Sequence, residues 1–332
     1  MVMTGGRSVA DLIYDVTDPL HPRLICSIAN TTAHLFTGDT FVYLKPVSPA
    51  ETDVILHSIG SGNESRVASF PTAQSFAAFT PDGSSLAYTV ADESTYTVKV
   101  YLFSQGKLGV VHTYGEPIGD CICRFGLPQQ VLSFSPDGQY LVDGWVAGKG
   151  ATPITVIRVA DGTTAYTAPD LSYFSALWDH AGHRLFLVGN TTASWTPEAG
   201  LATLPGGPWT YFPSISPDGA EAAYSAYPDP NNQVQPRVYL YDLRGGTSRL
   251  LVDKLRAEVR FVKDGWVWYD EEKLCTTADQ CAGSTTPTGR EFAMQLSTGI
   301  EQPVTFAPGE DSASHRSEYS WIAAPPEYWP NS

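Results

Sequence analysis

Cys121 and Cys123 stand one residue apart beside Glu116, Asp120 and Arg124, and closely spaced thiolates and carboxylates are the raw material of a metal site. The third and fourth ligands of a structural zinc pattern are missing nearby, so a loop stapled through another cysteine accounts for the pair equally well. His180 and His183, with Asp179, form a second set of ligating types. Their spacing aligns ligands on a helix, whereas the surrounding residues read as a turn. Asp229, Asn231 and Asn232 beside Pro228 and Pro230 offer oxygen ligands for calcium without the full spacing of a calcium loop. No Gly-x-Ser-x-Gly elbow occurs, and too few residues follow the last repeat to build a hydrolase domain. The expected cofactor content is therefore none, with a divalent cation such as calcium as the alternative.

Cys275 and Cys281 flank a loop containing threonine and glycine, at a separation suited to a small disulfide. Cys26 lies in an apolar strand and reads as a buried thiol. A formal charge of −15 sets the chain against phosphate backbones and anionic lipid surfaces, which need clustered Lys and Arg. No apolar run approaches the length of a membrane helix, and residues 1–8 lack the basic start and apolar core of a secretory signal. With 42% hydrophobic and only 17% charged residues, the chain carries ample apolar surface for a packed core.

The elements that must position such residues are marked by three turns: Thr80-Pro81-Asp82-Gly83, Ser135-Pro136-Asp137-Gly138 and Ser216-Pro217-Asp218-Gly219. Each follows one alternating apolar strand and precedes another, so each unit is a hairpin. Proline sets φ at the first corner, Asp tolerates the second, and Gly takes the positive φ that returns the chain. Degenerate copies occur at Gly38-Asp39, Ala181-Gly182 and Asp264-Gly265. The apolar residues just before the turns, Phe36, Phe79, Phe134, Trp178, Ile215 and Phe261, are separated by 43, 55, 44, 37 and 46 residues. That is the period of a four-stranded propeller blade. Leu12–Val16 and Arg23–Ile28 add an outer hairpin, which the segment near Tyr319–Ala323 completes as a seventh blade; a six-bladed ring with an extra hairpin is the alternative. The expected organisation is a leader over residues 1–8, one all-β propeller over 9–323, and a Pro-rich tail over 324–332.

The three Pro-Asp-Gly turns and their flanking strands resemble the TolB-like and WD40-like propeller repeats across roughly residues 9–306. The resemblance implies radial four-stranded blades around a channel, often with a protein-binding role, although related repeats also accompany peptidases. It further implies that ligands are met on the face opposite the Pro-Asp-Gly turns. Residues expected there are His34, Gln74, Arg124, Tyr173, Tyr211 and Arg256 at inner-strand entries, with Trp145, Asn190, Asn231 and Glu271 on the longer loops. Aromatic rings and guanidinium groups are frequent interface anchors, and they are equally at home packed between blades.

These features favour a non-enzymatic binding or scaffold protein that recognises a protein, peptide or glycan. The alternatives are a propeller hydrolase or lyase with a divalent cation in its central channel, and a structural piece of a larger envelope protein. No nucleic-acid partner is expected, and the chain is expected to be a monomer. Low charge, abundant Thr, Ser and Gly, and the cysteine pair favour a periplasmic, cell-surface or secreted setting.

Overall fold

A computed structural model of the chain describes residues 2–4, 10–29, 34–37, 40–48, 51–58, 60–71, 74–80, 84–92, 97–104, 107–115, 130–145, 153–168, 173–179, 184–189, 191–204, 210–228, 235–263, 265–276, 285–307 and 321–322. The described secondary structure is entirely β, in seven four-stranded antiparallel sheets. Blade 1 comprises His34–Thr37, Thr40–Ser48, Glu51–Ser58 and Glu64–Pro71. Blade 2 comprises Gln74–Phe79, Leu86–Asp92, Thr97–Ser104 and Lys107–Gly115. Blade 3 comprises Gln130–Phe134, Tyr140–Trp145, Thr155–Arg158 and Thr164–Thr167. Tyr173–Trp178, Leu185–Gly189, Thr192–Thr196 and Gly200–Thr203 form blade 4. Blade 5 follows with Thr210–Ile215, Glu221–Ala226, Arg237–Asp242 and Thr247–Val252. Blade 6 is Arg256–Lys263, Trp266–Leu274, Thr285–Gln295 and Ile300–Pro303.

Blade 7 draws on both ends of the chain. Its strand order is Trp321–Ile322, Val2–Thr4, Ala10–Asp15 and Arg23–Ala29, with Val2 opposite Ile322 and Met3 opposite Trp321. The C-terminal segment thus joins the early outer hairpin in one sheet, as the seven-blade reading requires. Its second strand comes from Val2–Thr4, upstream of the Val9 at which the sequence reading opens the propeller.

The chain divides into two compact units, one of Asn30–Trp178 with Gly182–Thr203, the other of Met1–Ala29, Asp179–Ala181 and Leu204–Ser332. Alternation along the strands builds the core of each, because every second side chain faces a neighbouring blade. In the unit holding blades 1–4, Val54, Phe79, Leu86 and Tyr88 meet between blades 1 and 2, and Ala87, Val100, Phe134, Leu141 and Ile157 between blades 2 and 3. Val142, Ile154, Trp178, Leu185 and Trp195 meet between blades 3 and 4. In the unit holding blades 5–7, Leu240, Val259, Phe261, Tyr269 and Met294 fill the space between blades 5 and 6. Val262, Trp268, Leu20 and Phe306 fill that between blades 6 and 7.

The Pro-Asp-Gly turns are held by the residue that precedes the proline. Ser135 Oγ accepts the Tyr140 N–H at 2.9 Å and donates to Asp137 at 2.6 Å. Ser216 Oγ accepts the Glu221 N–H at 2.9 Å and donates to Asp218 at 2.7 Å. Thr80 Oγ1 likewise accepts the Ser85 N–H at 2.9 Å. Gly138 and Gly219 have φ of 69° and 66°, the left-handed conformation required of the fourth turn residue. A Cβ on Gly138 would also meet Thr80 Cγ2 at 3.1 Å, so the turns of blades 2 and 3 approach closely there.

Candidate functional site

In blades 1, 2, 3, 5 and 6 the second strand carries a buried tyrosine or aspartate. Eight residues after the capping Thr80, Ser135 and Ser216 stand Tyr88, Asp143 and Tyr224. Tyr224 bonds Ser248 on the outermost strand of its blade, Tyr43 bonds Glu64 on that of blade 1, and Tyr269 donates to Glu301 on that of blade 6 at 3.0 Å. Tyr88 instead stacks on Tyr101 with ring centroids 5.1 Å apart, and burial pushes its hydroxyl up to about 12. Blade 3 departs from this pattern. Its Asp143 side chain is fully buried and accepts a hydrogen bond from His112 Nδ1, 2.8 Å away on the outermost strand of blade 2. Burial and the Asp143 charge both push the nearby Tyr114 hydroxyl upward.

Around Tyr269 the same geometry grows into the densest charge network of blade 6. Arg256 opens the innermost strand, at the end away from Gly265, and its guanidinium is buried over the Phe292 ring at 4.4 Å. Its Nη2 donates to Glu301 Oε1 at 3.0 Å and its Nη1 to the Leu255 carbonyl at 3.0 Å, with Glu271 Oε1 at 3.5 Å. Lys254 Nζ reaches the same Glu301 oxygen at 2.9 Å. Glu271 also accepts from Thr288 at 2.8 Å and pairs with Arg290 at 3.3 Å, and Arg290 stacks on the other approach to Phe292 at 5.0 Å. Burial raises Glu301, but the hydrogen bonds and charges of Lys254, Arg256 and Tyr269 outweigh it and hold the carboxyl below its ordinary value. The Tyr269 hydroxyl moves the opposite way, pushed up first by burial and then by Glu301.

Arg256, Glu271, Arg290 and Glu301 thus lie one on each of four strands, with Lys254 just ahead of the first. Arg256 is buried, whereas the Lys254 and Arg290 side chains are 59% and 63% exposed. The innermost strand is also bent beside Arg256. Its register shifts between Ala257 and Arg260, and Glu258 takes φ 54°, a conformation rare outside glycine and common where a backbone is shaped for function. The network can hold a polar or anionic group against its exposed cations while its buried members stay fixed. Among the described residues no group of three or more His, Cys, Asp and Glu side chains converges as a metal site.

Of the ten residues expected at a ligand face, Arg256 and Glu271 are brought together in this network. Tyr173 begins the inner strand of blade 4 but is buried in the core between blades 3 and 4. His34 and Gln74 begin inner strands, Tyr211 follows the first residue of one, and Trp145 ends a second strand; the description there covers the backbone. Arg124, Asn190 and Asn231 lie outside the described residues, as do Cys121, Cys123, His180 and His183. Cys275 is disulfide-bonded, and Cys281 lies outside the described residues. Lys254, Arg290, Glu301 and the Asp143–His112 pair escaped the sequence reading, because their meeting depends on strand register rather than on spacing along the chain.

Seven antiparallel four-stranded sheets with this repeat define a protein of the β-propeller class. The particular structures that the chain is similar to carry varied chemistries. One is the β-propeller domain of the trilobed protease from Pyrococcus furiosus, at 11% identity over 82% of each chain with a TM-score of 0.54. A prolyl endopeptidase matches at 13% identity over 89% of this chain and 46% of its own, with a TM-score of 0.59. The oligogalacturonate lyase from Vibrio parahaemolyticus matches at 9% identity over 90% of this chain and 86% of its own, with a TM-score of 0.56. The chain spans less than half the length of the prolyl endopeptidase chain. At these identities the likeness is one of fold. No family model and no curated protein matches the sequence.

Proposed function

We propose that this propeller is a non-enzymatic binding or scaffold protein that meets a protein, peptide or glycan at the blade ends opposite the Pro-Asp-Gly turns. The observation that carries the reading is the network at the start of blade 6. It fixes two of the expected residues, Arg256 and Glu271, in a rigid frame and leaves Lys254 and Arg290 exposed beside it. Exposed cations held by a buried frame present a ligand with polar contacts at small ordering cost, which is the requirement for selective binding. A monomer in an oxidising extracytoplasmic setting is part of the proposal, supported by the disulfide-bonded Cys275.

The test is a peptide and glycan array probed with the wild-type protein and with Lys254→Glu and Arg290→Glu. Retention of a defined ligand, weakened about tenfold or more by either reversal, supports the reading. A ligand held equally well by both variants but lost on changing the Ser135 or Ser216 turns overturns it. Metal analysis coupled to thermal melting with and without chelator tests the alternative enzyme. A stoichiometric cation whose removal lowers the melting temperature would favour a hydrolase or lyase built around that ion.

A further inference from the structure

The outermost strand of blade 2, Lys107–Gly115, is the longest of the seven outermost strands, at nine residues, and its two halves are treated differently by the fold. The second half is pinned to blade 3. His112 is 2.8 Å from the buried Asp143, and Val111 lies where Gly162 of blade 3 leaves room: a Cβ there would meet Val111 Cγ1 at 2.9 Å. Val111 is the extra residue of a β-bulge, since Val110 pairs with Tyr101 and His112 with Val100. The first half, Lys107 to Val110, is exposed throughout. Leu108 and Val110, two residues apart and therefore on one side of the strand, are 51% and 49% exposed.

An outermost strand points the N–H and C=O of every second residue away from its sheet, and folds usually blunt such edges with charge, proline or brevity. Four of the other blades do so: blade 1 ends on a strand with Glu64, Arg66 and Pro71, and the outermost strands of blades 3, 4 and 6 have four residues each. Lys107–Gly115 has no proline and no acidic residue, and it carries Lys107 in a chain of net charge −15.

We propose that Lys107–Val110 is a docking edge that accepts an extended peptide as a fifth strand of blade 2. The fitting partner alternates aliphatic side chains, which cover Leu108 and Val110, and carries a carboxylate that meets Lys107. Main-chain hydrogen bonds supply affinity in such strand addition, and alternate side chains supply selectivity. The bulge and the His112–Asp143 pin hold the edge in place beforehand, so docking orders the peptide alone. Pairing of four residues buries far less than the roughly 1,200 Å² of a stable protein–protein interface, which favours a peptide segment over a second copy of the chain.

The probe is a fluorescein-labelled peptide of nine residues alternating valine and threonine with one glutamate, measured by anisotropy. Its twin carries N-methyl groups on alternate amides. Saturable binding, weakened at least tenfold by N-methylation and at least tenfold by Val110→Lys, is the expected result. Leu108→Lys serves as the second variant, and thermal melting checks that both variants are folded. Three results overturn the proposal: no saturation below about 1 mM peptide, equal binding by folded variants and wild type, or a concentration-dependent dimer that Val110→Lys dissolves, which would make the occupant a second copy.

Discussion

Arg256 is the residue on which blade 6 turns, because one buried guanidinium answers two carboxylates and a carbonyl at once. Removing one partner of a buried ion network leaves the others desolvated and unpaired, which is more damaging than never having built it. Arg256→Ala is expected to lower stability by about 3 kcal/mol in urea denaturation. Arg290→Ala, at an exposed pair, should lower it by less than about 1 kcal/mol. The acid limb follows from Glu301, whose folded value lies below its ordinary 4.5. Its contribution is complete above that ordinary value and is lost as the pH falls through the lower folded one. The melting temperature of the wild type should therefore fall more steeply below about pH 5 than that of Glu301→Gln, measured by a pH series of thermal melts. Arg256 was legible as a candidate from its position at a strand entry, whereas Glu271, expected on a loop, lies within the second strand Trp266–Leu274, opposite Arg256 in the sheet. Glu301 and Lys254 were not legible, because only the antiparallel register of the outer strands brings them to the same guanidinium.

At the scale of the element, the hairpins were the most legible feature of the sequence. Pro, Asp and Gly each have a steric role that does not depend on the rest of the fold, so three turns and three degraded copies locate the innermost pair of strands in six blades. What the tetrapeptide conceals is the work of its first residue. Ser135 and Ser216 each hold a backbone N–H and an Asp carboxylate, and Ser135→Ala or Ser216→Ala should lower stability by about 1 kcal/mol without altering ligand retention. Gly138→Ala should lower it by about 1–2 kcal/mol, through the left-handed φ and the approach of Thr80. Denaturant melts of the three variants measure both effects. The second-strand tyrosines were harder to read, since a tyrosine in a strand looks like any core aromatic until its hydroxyl finds the outermost strand. Asp143 shows the point by exception: the place of Tyr88 and Tyr224 is taken by a carboxylate that needs His112 from another blade.

At the scale of the whole molecule, blade count was open in the sequence because three strands of one blade lie within residues 2–29 and the fourth at Trp321–Ile322, and neither part carries a Pro-Asp-Gly turn. The structure joins them through Val2–Thr4 and Trp321–Ile322. Deleting residues 1–5 should therefore separate Trp321–Ile322 from the rest of blade 7 and destabilise that sheet, an effect visible as faster hydrogen exchange in Ala10–Asp15 and Arg23–Ala29 with blades 2 and 3 unchanged. The same sheet has a consequence for biosynthesis. The three outer strands of blade 7 leave the ribosome before the other six blades, and their innermost partner leaves after them. At about 5–20 residues per second, the nascent chain carries an incomplete sheet for tens of seconds while the other six blades are made. Protection of that early hairpin during translation, by a chaperone or by transient pairing, becomes a condition for a good yield of folded protein.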